Sequence, residues 1–135
     1  MSFFDKLFGK PERTRYEVFT YRTLDGNAYF VFSYHQLSKG FEIDIHNQPD
    51  YRGRKEGSLI AHRLFSDRDT EHKICIAKKH MPKTLNAAKD ISTAWAEYTW
   101  EYIKTGISID RQIEIEKAKR KGIIQANLIP TKTTF

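Results

Sequence analysis

A single cysteine lies among three histidines near the middle of the chain. Cys75 has His72 three residues before it, His80 five residues after it and His62 thirteen residues before it. Lysines also stand within four residues on both sides. A thiol acts as a nucleophile only as the thiolate, which neighbouring cations and solvent exposure favour. The surroundings favour a reactive thiol, but free cysteine is among the most buried residue types, so both a reactive thiol and a buried structural cysteine stay open at this point.

Two other kinds of site use the same residue types. A metal site would draw on His62, His72, Cys75 and His80, but their spacing matches no common zinc pattern. A cysteine–histidine hydrolase would need an acidic residue to orient the imidazole, and no local protease signature surrounds the cysteine. The acidic candidates in this stretch are Asp67, Asp69 and Glu71.

The elements around Cys75 predict how its side chain is placed. The run KICIA (73–77) reads as a short strand, in which Ile74 and Ile76 share one face and Cys75 takes the other. We therefore expect the sulfur to point away from the face that the isoleucines bury. Downstream, Thr84 is suited to cap a helix from about Leu85 to Lys104 that ends at Gly106.

The region before this stretch predicts an antiparallel meander. Aromatic-rich runs at 15–24 and 28–36 flank Asp25-Gly26-Asn27, a strong hairpin signal, and FEIDIHN (41–47) alternates apolar and polar residues. The apolar run 58–65 is compatible with a fourth strand or an extended segment. The sequence thus predicts an α+β fold with a three- to four-stranded antiparallel meander packed against a long helix in the C-terminal half.

Domain organisation follows from the same patterns. Residues 1–13 predict a short amphipathic helix, residues 14–106 a single α+β core, and residues 107–135 a charged extension. Within the extension, 110–121 fits a helix that ends at Gly122. In the long helix, Trp95 lies in the apolar stripe and Trp100 falls on the polar side, where it is expected to cap the rim of the core.

The bulk composition bounds the partners and the compartment. A net charge of +6 favours acidic partners, which include nucleic acid, membrane surfaces and acidic protein faces. No apolar run is long enough for a transmembrane segment, the N-terminus does not resemble a signal peptide, and one cysteine fits a reducing cytosol, so we expect a cytoplasmic protein. Residues that could stack on nucleic-acid bases are Tyr21, Tyr29 and His35.

The order of motifs is similar to that of a known family. A proline–tyrosine loop, Pro49-Asp50-Tyr51, precedes His62-Arg63-Leu64, and Ile74-Cys75-Ile76 follows thirteen residues after that histidine. This resembles the P-x-x-Y-P loop, the H-P-N element and the active-site segment of the ubiquitin-conjugating (E2) superfamily. Leu64 stands where that family has Asn, and Arg52 where it has the second proline.

The closer resemblance is to bacterial E2-like proteins of defence or ubiquitin-like conjugation operons. These often follow the cysteine with a helix of aromatic residues that ends in Thr-Gly. The matching residues here are Trp95, Tyr98, Tyr102, Thr105 and Gly106.

The resemblance implies a UBC-like fold and a transferase function. Cys75 would accept the C-terminus of a ubiquitin-like modifier from an E1-like activating enzyme as a thioester, and would then pass it to an acceptor. His62 would order the loop around the thioester, and no metal or organic cofactor would be required. The alternative is a non-catalytic E2-like or other α+β binding module that uses its basic surface to bind nucleic acid or a protein partner.

Overall fold

A five-stranded antiparallel sheet forms the body of the protein. The computed structural model describes residues 17–68 and 70–128, so the helix predicted over residues 1–13 lies outside the described residues. The strands are β1 (Val18–Arg22), β2 (Tyr29–Leu37), β3 (Gly40–Asn47), β4 (Arg63–Phe65) and β5 (His72–Ile74). The predicted α+β class is confirmed, and so is the β1–β2–β3 meander.

The first hairpin closes through its Asp-Gly turn. The Thr23 N–H donates to the Ala28 carbonyl at 2.9 Å, and the Asn27 N–H donates to the Asp25 carboxylate at 2.9 Å. Gly26 takes a positive φ of 76°, which its missing Cβ permits without strain. Local turn chemistry therefore sets the register of β1 on β2.

The expectation of three to four strands was wrong, because the order is β1-β2-β3-β5-β4. The apolar run 58–65 is not one strand: Ser58–Ala61 forms a single helical turn, α1, and only Arg63–Phe65 is extended. His62 ends α1 in the left-handed conformation, with φ 55° and ψ 45°. The chain then returns as β5, which is inserted between β3 and β4.

Two long helices complete the fold, α2 (Leu85–Thr105) and α3 (Ile109–Leu128). The Thr84 side chain accepts a hydrogen bond from the Ala87 N–H at 3.1 Å, and Gly106 ends α2 with φ 81°. The predicted bounds of α2 are thus confirmed to within one residue. The predicted end of the last helix at Gly122 was wrong, because α3 continues to Leu128.

The core lies between α2 and one face of the sheet. Phe30 and Phe32 are fully buried, and the Trp95 indole meets both rings edge-on, with centroids 5.6 and 6.1 Å away. Trp100 is 4% exposed and donates its indole N–H to Asp25 at 2.8 Å, so the predicted rim position was wrong. The helix is covered on this side too, because the β1–β2 turn and the Arg52 side chain pack over the indole.

The charged C-terminal segment is docked on the core through its first turn. Ile109 is 3% exposed and belongs to the core, and the Arg111 N–H donates to the Ser108 side chain at 3.1 Å. The Tyr98 hydroxyl on α2 donates to Glu116 on α3. Among the described residues, no helix is both long and apolar enough to cross a bilayer.

Candidate functional site

The fold brings Cys75 and His62 together. Arg63 pairs with Ile74 in the β4–β5 ladder, so His62 and Cys75 stand opposite each other one step beyond it. The Cys75 N–H donates to the His62 carbonyl at 2.9 Å. This bond holds the backbone of the cysteine against the left-handed turn that ends α1. The two residues proposed for the site from sequence are therefore neighbours.

The His62 side chain is held by a residue that the sequence analysis did not select. Its Nε2 lies 2.8 Å from Oδ1 of Asp110, in the first turn of α3. The side chains are 34% and 67% exposed, so water reaches both. The Ser108 cap places Asp110 near the N-terminus of α3, where the helix dipole favours a carboxylate. The cap could be found from sequence, but the contact with His62 could not.

The turn beneath His62 is fixed from the core side. The Trp95 indole N–H donates to the carbonyl of Ala61 at 3.0 Å, in fully buried surroundings. Ala61 itself is completely buried. The turn at Ala61 and His62, whose carbonyl accepts the Cys75 N–H, is thus bonded to Trp95 on the core side and to Asp110 on the solvent side.

The thiol of Cys75 is exposed, as the strand alternation predicts. Strand β5 ends at Ile74, one residue before the cysteine, so the predicted strand 73–77 is shorter than expected. Among the side chains and backbone groups that the structure describes, none is hydrogen-bonded to the sulfur. The imidazole of His62 faces Asp110, and no Cys–His ion pair of the hydrolase kind is formed.

The other described residues considered for this site make different contacts or are exposed. His72 stacks on Phe65 with ring centroids 5.6 Å apart, and burial, followed by the charge of Arg63, lowers its pKa. His80 is exposed in a 3₁₀ turn, Lys78–His80. Asp67 and Glu71 are exposed, and Asp69 lies outside the described residues. In the described part of the chain, no group of three or more His, Cys, Asp or Glu side chains is arranged to hold a metal ion.

The proline–tyrosine loop packs beside the site through Tyr51. This side chain is 2% exposed, meets Tyr102 edge-on at 6.4 Å and carries the Arg63 guanidinium 4.6 Å above its ring. Burial raises the pKa of the Tyr51 phenol to about 12. Tyr51 thus connects the loop, β4 and α2 immediately next to His62.

On the face of the sheet opposite α2, a polar group that we call the outer-face cluster ties the β4–β5 connection to β3. Arg68, in that connection, bonds Asp44 through both Nε, at 2.7 Å, and a terminal nitrogen, at 3.0 Å. It also reaches Glu42 at 2.6 Å, and Lys73 reaches the same carboxylate at 3.1 Å. The remaining members are Ser33, His35, His46 and Ser66.

Asp44 is the buried centre of the outer-face cluster, with no exposed surface. Burial alone would raise its pKa, but hydrogen bonds and charge from Arg68 outweigh burial, so the pKa of Asp44 is lowered. Burial and the positive charge of Arg68 lower the pKa of His35. The cluster therefore stabilises an ionised Asp44, and it anchors the hairpin that leads to Cys75.

The base-stacking surface considered from sequence is not assembled. Tyr21 is opposite Phe30 on the helix-facing side, where its hydroxyl donates to Glu97 and its pKa is raised to about 12, first by burial. Tyr29 precedes Phe30 on β2 and so points to the other face. His35 is held in the outer-face cluster by Ser33 at 2.7 Å. The three side chains cannot act as one platform.

Comparison with known proteins identifies no family model, curated protein or solved structure that matches this chain.

The exposed thiol leads to a direct prediction. We expect iodoacetamide to alkylate Cys75 in the folded protein nearly as fast as in urea, because the residue is exposed to solvent. Intact-mass measurements over time, with and without denaturant, give the two rates. Protection by orders of magnitude in the folded state would instead indicate a buried structural cysteine.

Proposed function

We propose that this chain is an E2-like carrier that takes the C-terminus of a ubiquitin-like modifier as a thioester on Cys75. The observation that carries the proposal is the exposed, unengaged thiol held by its backbone against the His62 turn. A carrier cysteine must be reached by two large partners in succession, so exposure at an edge of the fold suits it. The motif order from Pro49 to Gly106 also supports the proposal.

The chemistry proposed for Cys75 is two acyl transfers in sequence. The Cys75 thiolate attacks the carbonyl carbon of the thioester between the modifier and an E1-like enzyme, and the cysteine thiolate of that enzyme leaves. A neutral amine of the acceptor then attacks the new thioester, and the Cys75 thiolate leaves as the amide forms. The proton lost by the amine passes to solvent or buffer. Neither step consumes a metal or an organic cofactor.

His62 and Asp110 have a positioning role in this proposal. The imidazole is bonded to a carboxylate rather than to the sulfur, and the backbone carbonyl of His62 accepts from the cysteine. Leu64 stands where the E2 family has the Asn that stabilises the oxyanion, and its side chain is 42% exposed. Any oxyanion stabilisation therefore has to come from a partner or from other groups at this edge.

The test combines the protein with ATP and with the E1-like enzyme and ubiquitin-like modifier encoded by neighbouring genes. We expect an adduct on a non-reducing gel that dithiothreitol removes and that Cys75→Ala abolishes. Cys75→Ser should give a slower-forming oxyester adduct that resists dithiothreitol. No adduct with the wild type, or one that persists in Cys75→Ala, would contradict the proposal.

The variant Asp110→Asn tests the positioning role of Asp110 in the same assay. We expect it to slow adduct formation by about tenfold, because the His62 turn loses the carboxylate that holds it while the attacking group, the Cys75 thiol, is unchanged. Asp90→Asn, at an exposed position of α2, is the matched control and should leave the rate unchanged.

A further inference from the structure

A groove of about 330 Å³ opens where the sheet splits. β5 pairs with β3 only at Asp44–Lys73 and Ile45–His72, and the chain then diverges from β3. After the 3₁₀ turn the chain comes back to β3, where the Phe41 N–H donates to the Pro82 carbonyl at 2.8 Å. Gly40 permits this return, because a Cβ at that position would lie 2.6 Å from the Pro82 oxygen. The groove is the gap left between these two points.

The walls of the groove are apolar and open to solvent. Leu37 and Leu64 remain 44% and 42% exposed. The apolar lining consists of Leu37, Phe41, Leu64, Ile74, Ile76 and Met81. Burial of such side chains is favourable in proportion to the apolar surface removed from water, so an occupant with apolar side chains would be stabilised here.

The rim of the groove is positively charged. Lys39 and Lys78 line it and are exposed, and the Lys83 ammonium lies against the Lys39 carbonyl at 2.6 Å. Within the part of the chain that the structure describes, no carboxylate pairs with these three lysines. The carboxylate in the lining, Glu42, is already bound by Arg68 and Lys73. We call this feature the lysine-rimmed groove.

Shape and charge together select one class of occupant. A concave apolar surface does not insert into a bilayer, whereas it does accept side chains of an extended or helical segment. Single-stranded nucleic acid needs several aromatic platforms for its bases, and Phe41 is the aromatic residue of this lining. Uncompensated lysines favour carboxylates on the partner.

We propose that the lysine-rimmed groove binds an acidic polypeptide segment that inserts apolar side chains between β3 and residues 74–81. The binding requires no chemistry at Cys75, so it goes beyond the carrier function. The proposal that the groove binds a peptide does not depend on whether Cys75 forms a thioester.

The test pans a random twelve-residue peptide library displayed on phage against the folded protein. We expect the enriched peptides to carry more Asp and Glu than Lys and Arg, together with at least two large apolar residues. Synthetic copies of the two most enriched sequences are then titrated against variants by fluorescence anisotropy. The double variant Lys39→Glu/Lys78→Glu should weaken binding by about tenfold or more, and so should Leu64→Glu.

Matched controls make the same changes of charge elsewhere. Lys117→Glu/Lys121→Glu on exposed positions of α3 and Leu59→Glu on α1 should each change affinity by less than about twofold. Circular dichroism melts of every variant separate loss of binding from loss of folding. Lys39→Gln/Lys78→Gln, which removes charge without reversing it, should give an intermediate loss.

Three results of the peptide experiment would overturn the proposal. They are the absence of enriched peptides, enriched peptides that are basic or uncharged, and binding that the groove variants leave unchanged. Phosphatidylserine vesicles and a single-stranded oligonucleotide are tested in parallel. Binding of either one that the groove variants abolish, with no peptide binding there, would assign the groove to lipid or nucleic acid and also overturn it.

Discussion

Arg68→Ala should lower the free energy of unfolding by about 3–5 kcal/mol, the usual cost of removing one partner from a buried ion pair. Asp44 has no exposed surface and would lose two of its charge-assisted bonds. Glu42 would keep only Lys73. The two carboxylates would then repel each other on the same face of β3. Urea denaturation followed by circular dichroism measures the change.

The control for this prediction is an arginine in an exposed pair. Arg111 and Glu114 are 65% and 67% exposed and lie 3.3 Å apart on α3. Arg111→Ala should therefore cost no more than about 0.5 kcal/mol. A similar loss in the two variants, or a loss under about 1 kcal/mol for Arg68→Ala, would show that the outer-face cluster does not stabilise the fold.

The pH dependence of the same pair has a defined sign. Because the net effect lowers the Asp44 pKa, its contribution is present above the unfolded value of 3.8 and is lost as pH falls through the folded pKa. The difference in stability between the wild type and Arg68→Ala should thus shrink as the pH falls below about 3.8, because protonation of Asp44 removes the charge that Arg68 binds. A difference that grows on acidification would contradict the assignment.

Trp95→Ala should cost about 3–5 kcal/mol, because it removes the largest side chain at the contact between α2 and the sheet. The indole is 5% exposed, packs edge-on against Phe30 and Phe32, and bonds the buried Ala61 carbonyl. Trp95→Phe should cost about 1–3 kcal/mol, since it retains most of the packing but leaves that carbonyl without a donor. Chemical denaturation of both variants gives the values.

Trp95→Phe also links stability to the candidate site. The Ala61 carbonyl belongs to the turn whose next residue, His62, accepts the Cys75 N–H. We expect faster amide hydrogen exchange at Cys75 in Trp95→Phe than in the wild type, beyond the change in global stability. Leu59→Ala, at a side chain that is 85% exposed, should change neither quantity. Equal exchange at Cys75 in all three proteins would refute the link.

Local sequence patterns were sufficient for the elements of the meander and for α2. Alternation in 41–47 placed Ile43 and Ile45 towards the helix, and the Thr84 and Gly106 caps set the ends of α2. Alternation also turned the Cys75 sulfur outward. The run 58–65 was misread as a single extended segment because apolar content alone does not distinguish a helical turn from a strand in so short a stretch.

Trp100 shows where periodicity misleads. Its angle on the helical wheel placed it near the polar edge, and a helix packed on one side only would leave it partly exposed. The β1–β2 turn and the loop carrying Arg52 cover that side, so the indole is buried and bonded to Asp25. Helical periodicity predicts which side of a helix packs against a single surface. The helix α2 is covered on more than one side, so periodicity alone does not predict the burial of Trp100.

The sequence by itself determined the kind of residue at the candidate site and the elements that carry it: an outward cysteine after a short strand, a histidine thirteen residues before, and a capped helix beyond. These depend on alternation, turn chemistry and caps, which act between residues close in the chain. Only the tertiary structure decided that His62 faces Asp110, 48 residues away. It also decided that β5 lies between β3 and β4 and that Arg68 covers Asp44. Such contacts join residues that are distant in the chain, and no local conformational preference distinguishes one distant carboxylate from another.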